Sequence, residues 1–104
     1  MSILSLTFHA PAVSLNEWEK YSRSELTEMV NNLFDVEKYI LSDVESDMIS
    51  EGRNTNLLLL FDNDELRASF LENELENISD RIGQRFGEEI MIFQTLLNSF
   101  SQRI

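Results

Sequence analysis

Leu57-Leu58-Leu59-Leu60-Phe61 is an unbroken apolar run, bounded upstream by Gly52 and Asn54 and downstream by Asp62-Asn63-Asp64. A buried helix needs about ten residues or more, whereas a strand covered on both faces needs only roughly four to eight. The run therefore reads as a strand at 57–61. Downstream, Asp62-Asn63-Asp64 offers N-caps for a helix over 64–86, in which Leu66, Phe70, Leu71, Leu75, Ile78, Ile82 and Phe86 recur at helical spacing. Arg81 and Arg85 fall in its last turns, where cations suit the helix dipole, and Gly87 is a natural stop. Ile90-Met91-Ile92-Phe93-Gln94-Thr95 gives a last strand at 90–95, and the tail from Leu96 to Ile104 is expected to form a helical turn through Leu96, Leu97 and Phe100.

Upstream, Leu4, Leu6 and Phe8 alternate with Ser5, Thr7 and His9, the period of a half-buried strand at 3–9 that Pro11 ends. Ser14 and Glu17 fit a capping box, with Val13 and Trp18 in the two staple positions. Leu15, Trp18, Leu26, Met29, Val30 and Leu33 form the stripe of a helix over 15–32, diluted for one turn at Ser22. Tyr39-Ile40-Leu41 centres a strand at 36–44, and the polar segment from Glu45 to Asn56 connects it to the run at 57–61. The order is β-α-β-β-α-β. Its simplest closure is a ferredoxin-like α+β sandwich, one domain over 1–104, with two helices on one face of a four-stranded antiparallel sheet.

Eight Lys and Arg stand against nineteen Asp and Glu, a net charge of −11 at pH 7. That field repels phosphate backbones and anionic membranes, so neither nucleic acid nor a membrane is expected as a partner, while an acidic face suits a basic protein. The absence of cysteine excludes disulfides, thiolate metal sites and a cysteine nucleophile. No stretch approaches the roughly eighteen apolar residues of a spanning helix, and no basic residue precedes an apolar stretch at the N-terminus, so a cytoplasmic chain is expected.

Residues that carry chemistry are few, and neither a cofactor nor a metal is expected. His9 is the lone histidine, placed at a strand end where a general base can sit. With Trp18 and Arg85 it makes the candidate ligand pocket. Asp43, Glu45, Asp47 and Glu51 alternate like a calcium loop, but the positions that need Gly and Glu hold Met48 and Asn54. Arg81 and Arg85, one turn apart, are more simply paired with Asp80, Glu88 or Glu89 than set to clamp an anion. No phosphate-binding glycine loop, nucleophile elbow or zinc-protease motif occurs.

Glu17-Trp18 in the first helix, Asn31-Asn32-Leu33-Phe34 after it, and Phe93-Gln94-Thr95-Leu96-Leu97 at the end resemble a family of short bacterial ferredoxin-like domains of unknown function. Members carry a Glu-Trp pair, a Thr-Gly-Leu-Phe turn and a final strand like Phe-Arg-Thr-Leu-Leu. Here Gln94 replaces the Arg, Asn31-Asn32 replaces the Thr-Gly, and Leu26-Thr27-Glu28-Met29 stands where members often carry His-Ile-Pro. The resemblance implies the fold and a dimer of α+β-barrel type, and implies no activity.

In such a sandwich one sheet face meets the helices and the other reads polar if it meets water. The last two strands are apolar on both faces. Leu58 and Leu60, with either Ile90 and Ile92 or Met91 and Phe93, are therefore expected to point away from the helices, which marks a contact surface for a dimer partner or, alternatively, a bed for the C-terminal tail. Two functions remain open: a non-enzymatic homodimeric interaction or structural module, and a small-molecule-binding or oxygen-chemistry enzyme with a pocket between sheet and helices.

Overall fold

The computed structural model describes residues 1–46 and 51–104. Alternation in β1 (Ser2–Ala10) buries Leu4, Leu6, Phe8 and Ala10 on one face and leaves Ile3, Ser5, Thr7 and His9 half-buried on the other. A 3-10 turn (Ala12–Ser14) leads into the first helix, built of α1 (Leu15–Tyr21), a π-helical turn (Ser22–Leu26) and α2 (Thr27–Asn31). After β2 (Lys38–Asp43) and β3 (Arg53–Phe61) comes the second helix: α3 (Asp64–Ser69), a π-helical turn (Phe70–Glu74) and α4 (Leu75–Phe86). The chain then enters β4 (Met91–Asn98). The sheet order is β2-β3-β1-β4 and every neighbouring pair is antiparallel. This is the ferredoxin-like arrangement that the element order predicts.

The core lies between the sheet and the helices. Trp18 is its centre, with ring centroids 5.5 Å from Phe8, 5.8 Å from Tyr21 and 5.6 Å from Phe86. Phe61 and Phe70 close the other end at 5.5 Å. Burying each such side chain contributes roughly 1.5–3 kcal/mol, so this cluster holds the helices to the sheet. The dilution of the first stripe at Ser22 coincides with the π turn. There the Thr27 hydroxyl donates to the Ser22 carbonyl at 2.7 Å, five residues back.

The structure corrects several local expectations. Ser14 does not cap α1 through its side chain. The 3-10 turn puts its backbone at φ −103°, ψ 0°, away from the extended geometry an N-cap needs, and its hydroxyl instead donates to the Glu89 carboxylate. Val13 is exposed, so no staple forms with Trp18. The second helix is capped as expected: the Asn63 side chain accepts from the Leu66 amide at 2.9 Å, and Gly87 ends it at φ 63°. β3 begins four residues early, because its polar start finds partners within the sheet. Asn56 donates to the Ser5 hydroxyl at 2.8 Å, and Thr55 accepts from the Trp18 indole at 3.0 Å. Leu96 and Leu97 lie in β4, opposite Leu4 and Ile3, and form no helical turn. Arg67, almost fully buried, donates to the Ile3 and Leu97 carbonyls at 2.9 and 3.0 Å and ties that extension down.

Candidate functional site

The register decides which side chains the helices leave uncovered. On β3, Thr55, Leu57, Leu59 and Phe61 face the helices, so Leu58 and Leu60 face the other way. Leu60 is only 8% exposed yet lies outside the contiguous core cluster, because Ile3 and Lys38 flank it on the neighbouring strands. Pairing of Phe8 with Ile92 puts Ile92 on the helix side, and Ile90, just before β4, is buried in the core. The Ile90 and Ile92 alternative for the open face is thereby corrected, since both side chains belong to the core side. Met91 and Phe93, opposite His9 and Thr7, take the open face.

Ile40 of β2, opposite Leu58, and Leu97 of β4, opposite Ile3, join them. Sequence reading missed both. Ile40 sits in an apolar triplet that masks its phase, and Leu97 lay in the supposed helical tail. On the open face Ile40 is 56%, Met91 51%, Phe93 51% and Leu97 41% exposed. A polar band crosses the middle of the face. Asn56 bonds Ser5 and Thr7 there, with Thr95 on the flanking strand opposite Ser5.

The residues of the candidate ligand pocket are not brought together. His9 lies on the open face, its Nδ1 2.7 Å from Asn54 Oδ1. Trp18 lies on the opposite side of the sheet, buried in the core. Arg85 is on the outer helix surface, paired with Glu17 at 3.4 Å and Glu25 at 3.5 Å and 5.9 Å from the Tyr21 ring centroid. The expected partners Asp80, Glu88 and Glu89 are thus replaced by acids of the first helix, which the packing of the two helices brings nearer. Burial holds the Tyr21 hydroxyl above its ordinary pKa, helped by the Glu25 charge and opposed by Arg81 and Arg85. Of the calcium-like acids, Asp47 lies outside the described residues. Among the described residues no three His, Asp or Glu side chains group as a metal site, and no helix is long and apolar enough to cross a membrane.

These features define a ferredoxin-like α+β domain with one sheet face packed under helices and the other exposing apolar side chains on both sides of a polar band. Over residues 1–100 the sequence matches the family described as a domain of unknown function, DUF4286, and the chain belongs to that family. No curated protein matches it. Among solved structures it is similar to HapK from Hahella chejuensis, at 6% identity and a TM-score of 0.69 over 100% of this chain and 97% of that one. It is also similar to a dimeric ferredoxin-like protein from an uncultured marine organism, at 13% identity and a TM-score of 0.66 over 100% and 99%. An ethyl tert-butyl ether d (ethd) family protein from Bacillus halodurans aligns at 8% identity and a TM-score of 0.66 over 91% and 97%. At such identities the likeness is one of fold.

Proposed function

We propose that the protein is a non-enzymatic homodimeric module whose two copies pack open sheet face against open sheet face. The observation that carries this reading is the exposure on one face of Ile40 beside Leu58 and of Leu97 beside Ile3, with Met91 and Phe93 exposed on the far side of the polar band. A second copy suits the face better than a basic partner does, because among the described residues its only ionisable side chains are Lys38 and His9. The molecule measures 38 × 30 × 19 Å, and its broad side exceeds the roughly 800 Å² that each partner of a standard interface contributes. The described dimeric ferredoxin-like relative supports the same reading by its fold. Phe8, Trp18, Phe61, Phe70 and Phe86 fill the middle of the space between sheet and helices, which supports a module rather than an enzyme with its pocket at that middle.

Sedimentation velocity at tens of micromolar tests the proposal. A dimer is expected for the wild type. Leu58→Glu and Phe93→Glu each place a charge on the face, and each is expected to weaken the dimer by about tenfold or more, the loss of one buried side chain. Val13→Glu, on exposed surface elsewhere, is expected to leave it intact. A wild-type monomer, or dimers of unchanged strength in both face variants, would overturn the proposal.

A further inference from the structure

On the helix side of the sheet, away from the open face, the edge strand β2 and the π turn of the first helix frame a groove of about 320 Å³. That is within the usual range of roughly 300–1,000 Å³ for small-ligand sites. Tyr39 and Leu41 give it an apolar wall, and Ser22 and Thr27 line the helix side. The Ser22 and Thr27 hydroxyls donate to helix carbonyls, so they shape the wall. Thr55 lines the groove almost fully buried, and its oxygen accepts from the Trp18 indole, a bond that does not use its own hydroxyl proton. Arg23 and Asp43 form an ion pair across the groove, each about half exposed (55% and 43%). Ser22 and Arg23 belong to the π turn, and such turns often mark functional sites.

We infer that this groove binds a small zwitterion, an α-amino acid with an apolar side chain, which opens the Arg23–Asp43 pair and takes up one charge of each. The charges select the class. A lone carboxylate on Arg23 would set two anions side by side in a chain of charge −11, and a lone cation on Asp43 would strand Arg23. A zwitterion places its carboxylate on the guanidinium and its ammonium on the carboxylate, and leaves the net charge unchanged. Its side chain then lies along Tyr39 and Leu41. A second groove of like size lies between the helices, but it carries Glu25, Glu28 and Glu74 against Arg81 alone and offers no such balance.

The test is a titration of ¹⁵N-labelled protein with L-leucine, 4-methylpentanoate and 3-methylbutylamine. The last two keep one charge each. L-leucine is expected to give saturable shifts at amides of 22–27 and 39–43, with a Kd in the millimolar range or tighter. Each singly charged analogue is expected to bind about tenfold more weakly, the loss of one charged hydrogen bond. Arg23→Gln and Asp43→Asn should each weaken L-leucine about tenfold without altering the melting temperature, because the pair is exposed. No saturable shifts up to about 50 mM, equal binding of either analogue, or binding unaffected in both variants would overturn the inference. The dimer reading stands or falls separately, since its face is on the other side of the sheet.

Discussion

Tyr21 links burial to pH at a single hydroxyl. Its pKa is raised in the folded chain, first by burial and then by Glu25. The phenol therefore stays neutral in the folded state at pH values where an unfolded chain ionises it. That term is fully present below the ordinary tyrosine pKa near 10 and is lost as pH rises from there through the folded value. Urea midpoints are expected to fall more steeply above pH 10 in the wild type than in Tyr21→Phe. Equal slopes in the two proteins would exclude the linkage. Ser14 gives a second prediction. Its bond to exposed Glu89 should make Ser14→Ala cost about 0.5–1 kcal/mol, and that cost should largely vanish in a Glu89→Ala background. Sequence spacing showed that Trp18 is buried, because its stripe is local. It could not show that Trp18 reaches Thr55 or that Ser14 reaches Glu89, 37 and 75 residues away.

At the scale of elements, β4 depends on a residue in another element. Arg67 of α3 bonds the carbonyls of Ile3 and Leu97 and, at 3.1 Å, the Asn98 side chain. Ile3 and Leu97 are themselves opposite one another, so the guanidinium clamps the next-to-last rung of the β1–β4 ladder. Arg67→Met keeps much of the buried stem and removes the donors. It is expected to cost about 2–3 kcal/mol, the value of charged hydrogen bonds lost from a buried site. Hydrogen exchange should quicken first at amides 96–98, with those of 4–8 in β1 following only on global unfolding. Uniform loss of protection would assign Arg67 a purely global role. The clamp also explains why the end of β4 was illegible. Leu96, Leu97 and Phe100 have helical spacing, and pairing with β1, with a cation sixty-four residues from Ile3 bonded to the same rung, overrides it. By contrast, the apolar run at 57–61 and the helix stripes were legible because their periodicities are set within each segment. The polar start of β3 was not, since Asn56 and Thr55 earn a place in a sheet only through partners on β1 and the first helix.

For the whole molecule, charge and apolar surface act in opposite directions. Each chain carries −11, and bringing two together raises their mutual repulsion. Among the described residues the open face holds no acid, because its ionisable groups are Lys38 and His9. The acids that repel are therefore on other surfaces, where they act across solvent over distances that salt screens. The Debye length is about 10 Å at 0.1 M salt and about 30 Å at 0.01 M. Raising NaCl from about 20 to about 200 mM should thus remove much of the repulsion while leaving the apolar contact untouched, and the dimer is expected to tighten several-fold. Sedimentation at the two salt concentrations checks this, with Leu58→Glu as a control that should remain weaker than wild type in both. Weakening by salt would mean that opposite charges meet across the interface, as they do when an acidic protein binds a basic one. That result would point to a contact made by the acidic helix surfaces rather than by the open sheet face.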